Sequence, residues 1–178
     1  MSKYAIIEAI RPTREEQKNL HSIQNLVMAS LENQFVDEIM DMDVLDIIPV
    51  GSLPKDTNIR GSSDIDVFVK FSPLYPEDLF KTVVHEKIKK ALKGIGAVTE
   101  TNYASHPYVK AKYKGVDIDV APCYHVKLGE VRSAVDRTPY HTEYVIKNLK
   151  GGQTNEVRLL KQYLKASELY GANEKVQG

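Results

Sequence analysis

The sequence predicts an α+β fold, with helices at both ends and a block of mostly non-alternating strands between them. Three observations carry this. Ile23, Val27, Leu31, Phe35 and Ile39 recur every four residues, the spacing of one helix face. Short β-prone runs punctuated by Gly, Pro, Ser and Asn fill the stretch from Val44 to Tyr124. Helical patterning then returns in "YHTEYVIKNLK" and "TNEVRLLKQYLKASELYG".

Each element has its own local reason. Thr13 stands three residues before Glu16, a capping-box spacing, with Pro12 just ahead, so the first long helix is predicted to start there. "VLDIIPV" reads as a strand feeding Gly51-Ser52, and "DIDVFVKF" as a second strand. "SPLYPED" is a proline-rich turn opening a helix whose apolar face is Phe80, Val84, Ile88 and Leu92, with Gly94 as its expected C-cap. "AVTETNYA", "YVKAKYK" and "VDIDVAPCY" read as three further strands. No internal repeat is present, and only the tail "ANEKVQG" is loose in composition.

Composition narrows the function classes. The 178 residues suit one domain, or one and the beginning of another, and 42% hydrophobic content supports a real core. Lys+Arg and Asp+Glu are each 24, so the formal net charge is zero, which argues against strong nucleic-acid binding by charge alone. Cys123 is the only cysteine, excluding an internal disulfide and pointing to a reducing, cytoplasmic setting. No run approaches the ~18 apolar residues of a membrane helix, so no membrane partner is expected.

The chemistry-bearing pattern is a repeated Asp-x-Asp. Residues two apart on a strand share a face, so Asp64 and Asp66 point the same way, as do Asp117 and Asp119. Four carboxylates on adjacent strands repel one another and raise some of their pKa values. A cation between them removes that cost, and Mg²⁺, which takes hard oxygen ligands and keeps places for water and phosphate oxygens, is the natural one. A single pair would be equally at home on a solvated sheet face; two pairs in β-branched runs weigh toward a cation site. Gly51 permits a sharp turn whose N–H groups can face an anion, Ser52 adds a hydroxyl donor, and Lys55 adds charge. Lys161 falls on one helical stripe with Arg158 and Lys165, suited to phosphate but also typical of a wet helix face. Lys87, Lys89, Lys90 and Lys93 read as such a wet face.

"GSLPKDTNIRGSSDIDVFV" resembles the signature of the DNA polymerase β-like nucleotidyltransferase superfamily. More closely, the chain is similar to the archaeal-type, class I CCA-adding enzymes, the tRNA nucleotidyltransferases. The similarity continues through "IRPTREE", "HPYVKAKYKGVDIDVAPCY", "RSAVDRTPYHTEYV" and "NEVRLLKQYLKASELYG". The resemblance implies the polymerase β-like fold, a mixed sheet packed against helices. It implies a two-metal Mg²⁺ site with Asp64, Asp66 and Asp119 as ligands and catalytic residues, Asp119 being preferred to Asp117 by its distance to "PCY". It also implies nucleotide contacts from Gly51, Ser52, Lys55, His141, Lys161 and Tyr170. The family usually carries arginine where this chain has Lys55, which keeps the charge but loses the bidentate fork; Arg60 is the nearby residue able to compensate.

The implied reaction is attack of a tRNA 3′-hydroxyl on the α-phosphate of CTP or ATP, releasing pyrophosphate. Residues 1–136 are expected to form the catalytic head and 137–178 the start of a following helical segment, with later tRNA-binding domains outside this chain. Two other readings stay open: an oligoadenylate or cyclic-dinucleotide synthase on the same fold, and a non-catalytic nucleotide- or RNA-binding module.

Overall fold

The computed structural model describes residues 2–169 apart from 63, 103–107, 131, 133 and 134. Helices α1 (Lys3–Ile10), α2 (Arg14–Gln34) and α3 (Val36–Met40) precede strands β1 (Val44–Val50) and β2 (Ile65–Phe71). A 3-10 turn (Glu77–Lys81) and α4 (Val83–Gly94) lead into β3 (Val98–Asn102), β4 (Tyr108–Tyr113) and β5 (Val116–Tyr124). Helices α5 (Thr138–Asn148) and α6 (Gln153–Ala166) follow. The architecture is the α+β one that the sequence predicts.

The five strands form one mixed sheet in the order β1-β2-β5-β4-β3. The β2–β5 pair is parallel and every other pair is antiparallel. Pro49 is tolerated because β1 is an edge strand, where a missing N–H breaks no ladder. Period-two alternation gives the sheet two chemically different faces. Ile65, Val67 and Val69 of β2, Val109 of β4 and Ile118 and Val120 of β5 are wholly buried against helices. The residues between them, Asp66, Lys110 and Asp119 included, face the other way.

Helices α2 and α4 cover the apolar face, and the Ser30 hydroxyl donates to the Ala91 carbonyl at 2.8 Å to tie them together. Leu20, Ile23, Val27 and Leu31 form the buried stripe of α2. Thr13 Oγ1 accepts from Glu16 N at 3.1 Å, as its capping position predicts. Glu16 does not complete the reciprocal box: its carboxylate accepts from Gly61 N at 2.7 Å instead.

Three helix boundaries differ from the sequence expectation. The long helix breaks at buried Phe35, so Ile39 belongs to the short α3 and is 37% exposed rather than continuing the stripe. Phe80 reaches the core from the 3-10 turn, and α4 is capped at Gly96, not Gly94. Gly96 N donates to the Lys93 carbonyl and Ala97 N to that of Leu92, the paired bonds of a Schellman cap. Gly96 holds the left-handed φ of +84° that this cap demands, which is why glycine belongs there.

Candidate active site

Between β1 and β2 the chain makes a loop that becomes one wall of a cleft of about 220 Å³. The loop contributes Gly51, Ser52 and Lys55; the start of β2 contributes Asp64 and Asp66; α6 contributes Lys161 and Lys165. Thr57 N donates to the Ser52 carbonyl at 3.0 Å, closing the loop on itself.

Gly51 is dictated twice over. Its φ is +75°, and a Cβ there would lie 1.8 Å from Asp66 Oδ2. The Asp66 carboxylate therefore rests against the bare backbone of the turn, and any side chain at position 51 collides with it.

The acids are arranged by register. Asp66 stands beside Asp119 across the parallel β2–β5 pair, and Asp119 stands opposite Lys110 across the antiparallel β4–β5 pair. Lateral neighbours in a sheet point to the same face, so these three side chains form a row. Asp64 immediately precedes β2 and approaches the same face, two residues from Asp66. Asp117, two residues earlier on β5 than Asp119, is paired with Lys112 at 3.2 Å.

Electrostatics follow from that crowding. Burial, then the charges of Asp119 and Asp64, push the Asp66 carboxyl up to about 6. Burial also raises Asp64, with Asp117 adding to it. Burial raises Asp119, and Lys110 opposes the shift. Burial lowers both Lys55 and Lys161; Asp66 counteracts this in each, whereas Lys55 and Lys165 add to the lowering of Lys161. Asp64 and Asp66 in the cleft lining thus share it with the partly desolvated ammonium groups of Lys55 and Lys161, while Asp119 stands beside Asp66 outside that lining.

Among the described residues, no three Asp, Glu, His or Cys side chains are gathered as a ready-made metal cage. The chemistry of Asp64, Asp66 and Asp119 fits a hard divalent ion, since every side-chain oxygen they offer is a carboxylate's, and Asp119 Oδ1 is buried with no hydrogen-bond partner among the described residues.

The other sequence candidates fall in different places. His141 is exposed on α5 and does not line the cleft. Tyr170 lies outside the described residues. Arg60 does not supplement Lys55; its Nε donates to the Arg11 carbonyl at 2.8 Å and its side chain is not in the cleft lining. The stripe Arg158–Lys161–Lys165 divides by function: Lys161 and Lys165 reach the cleft, whereas Arg158 is 1% exposed and bonded to loop residues. Lys110 and the loop anchors Asp56 and Asn58 carry no local signal in the sequence. The period-two spelling "YVKAKY" puts Lys110 and Lys112 on one face, but only register shows that this face is the acidic one.

Residues 32–141 match the nucleotidyltransferase domain family, and the chain belongs to that family. Its curated relatives include the CCA-adding enzyme of Pyrococcus abyssi, 39% identical over 97% of this chain, and that of Methanocaldococcus jannaschii, 34% identical over 97% of it. The chain spans 38% of the length of each of these relatives. Among solved structures, a cytoplasmic RNA terminal U-transferase superimposes with a TM-score of 0.67 over 94% of this chain and 45% of its own, at 15% identity. That likeness establishes the polymerase β-like fold.

Proposed function

We propose that this chain carries the catalytic centre of a tRNA nucleotidyltransferase, adding CMP and AMP from CTP and ATP to the tRNA 3′ end. The observation that carries the reading is the juxtaposition of Asp66 and Asp119, neighbours in register, with a glycine-serine turn and two half-buried lysines. The relatives named as CCA-adding enzymes supply the choice of acceptor. In this reading residues 1–136 are the catalytic head, 137–178 open the following segment, and the reaction takes place in the cytoplasm.

Asp64, Asp66 and Asp119 would hold Mg²⁺, which when bound supplies charge neutralisation at the attacking and leaving oxygens. The chain's own groups do the rest. Ser52 and the backbone beyond Gly51 donate to phosphate oxygens, and Lys55 and Lys161 hold the charge of the leaving pyrophosphate. Such positioning and charge stabilisation are most of what phosphoryl transfer asks of a protein. His141 and Tyr170 enter the proposed nucleotide contacts through the family pattern alone.

The test is incorporation of α-labelled CTP and ATP, with and without tRNA lacking its CCA end. Product is expected only with the RNA, and Asp66→Ala is expected to abolish it without unfolding the chain. Primer extension by Asp66→Ala at the normal rate would remove these carboxylates from the mechanism. Product formed without RNA would favour an oligonucleotide synthase instead.

A further inference from the structure

The structure assigns a positioning role to Arg158 and Asp56: together they fix where Lys55 stands relative to Lys161. This rests on the proposed nucleotide site and adds residues that bind no substrate themselves.

Lys55 and Lys161 come from a loop and a helix about a hundred residues apart in sequence, so something other than the chain must set their separation. Arg158 precedes Lys161 by three residues, on the same side of α6. Its guanidinium is turned away from solvent and into the loop. Nε donates to the Asn58 carbonyl at 2.9 Å, and Nη2 bonds the Asp56 carboxylate. Nη1 donates to Asn155 Oδ1 at 2.9 Å, which locks the guanidinium against its own helix. Four residues beyond Lys161, Lys165 Nζ donates to Ser62 Oγ at 2.8 Å, so α6 grips the loop at both ends.

Asp56 is the residue directly after Lys55, and its φ is +49°. Left-handed backbone is uncommon outside glycine; aspartate and asparagine adopt it most readily, and it persists where the surroundings reinforce it. The enforcing contacts are visible. The Asp56 carboxylate accepts from Arg158, from the Gln17 amide at 3.4 Å and from the Thr154 hydroxyl at 3.5 Å. Gln17 and Asn58 also exchange side-chain bonds at 3.1 and 3.3 Å, bracing the loop from α2. The backbone turn at Asp56 determines the direction in which the preceding residue projects. Breaking the clamp frees that turn, and Lys55 then loses its fixed place in the cleft. Arg158 spends its own charge on Asp56, which is why it serves as an anchor and not as a phosphate ligand.

The experiment measures affinity for CTP or ATP by calorimetry, with Ca²⁺ replacing Mg²⁺ so that binding is read without turnover. Asp56→Asn is the first variant, because the position is exposed and asparagine tolerates the left-handed backbone. Arg158→Lys is the second, keeping the charge but losing the fork. Each is expected to weaken nucleotide binding about tenfold, the scale of one lost charge-assisted bond. In turnover KM should rise and kcat should fall with it, because Lys55 holds charge that grows on the leaving pyrophosphate. In a Lys55→Ala background Asp56→Asn should weaken binding no further, since the residue it positions is gone. Unchanged affinity in Asp56→Asn, or losses that add in full to that of Lys55→Ala, would overturn the assignment. If the unsubstituted chain binds no nucleotide, the proposed function and the clamp fall together; if it binds and the variants match it, only the clamp falls.

Discussion

At the scale of single residues, the cleft trades stability for chemistry. Asp66 is mostly buried beside two other acids, and its carboxyl is pushed up to about 6 from an ordinary value of 3.8. Between those two values the native state binds more protons than the unfolded state, so stability falls as pH rises through the window. Above pH 6 the full cost is present, about 2–3 kcal/mol for a shift of this size. Asp66→Asn is therefore expected to stabilise the metal-free protein by about that much at pH 8 and scarcely at all at pH 4. Urea unfolding of both proteins at the two pH values checks this, and equal midpoints at pH 8 would show that the carboxylate bears no such penalty. Gly51 is the complementary case. Its left-handed φ and the 1.8 Å approach to Asp66 Oδ2 leave no room for a methyl group. Gly51→Ala should cost at least about 1–2 kcal/mol of stability and displace the Asp66 carboxylate, so incorporation should collapse even where the protein remains folded. A thermal melt beside an incorporation assay separates the two effects.

At the scale of elements, what was legible in the sequence is what local periodicity encodes. "DIDVFV" and "VDIDVAP" announce their alternation, and the parallel register then brings Asp66 level with Asp119. The capping threonine at position 13 was readable because its partner amide is three residues away. The misplaced features depend on distant partners or on backbone geometry. Glu16 has the capping-box spacing, yet Gly61 claims its carboxylate. Arg158 and Lys161 look equivalent on a helical wheel; only the loop packed against α6 tells an anchor from a cleft-lining cation. Two nearby glycines make the same point and can be tested. Gly94 lies within α4, its φ is not left-handed and a Cβ there meets nothing within 4 Å among the described residues. Gly96 sits at the left-handed cap position, and a Cβ there would lie 4.0 Å from Tyr113 Cε2. Gly94→Ala should therefore stabilise by about 0.5–1 kcal/mol, whereas Gly96→Ala should destabilise by about 1 kcal/mol. Chemical denaturation of the two variants is enough to decide, and effects of the same sign would contradict the cap assignment.

At the scale of the whole molecule, the formal net charge is zero while the local charges are strongly sorted. Asp64 and Asp66 enter the cleft from β2 and its approach, Lys55 from the loop and Lys161 and Lys165 from α6, so groups of opposite charge share one small space. The core and the cleft also have different owners. The core is built by the sheet with α2 and α4, whereas α6 packs chiefly on α1 and is held to the loop by side-chain bonds. Lys3 and Glu156, paired at 2.7 Å, join α1 to α6 at the surface, where such a pair contributes little. Helix α6 is thus a cleft wall more than a structural member, and the two roles are separable by deletion. A chain ending at Gly152 would lose Arg158, Lys161 and Lys165 together while keeping every strand and both core helices. It should still unfold cooperatively, because the buried cluster remains whole, yet it should gain nothing from nucleotide. The intact chain with Ca²⁺ and nucleotide at about 100 times Kd should gain about 2.7 kcal/mol by linkage, seen as a raised melting temperature. A truncated chain whose melting temperature rises by as much as that of the intact one would place the triphosphate-binding charge in the loop and strands alone.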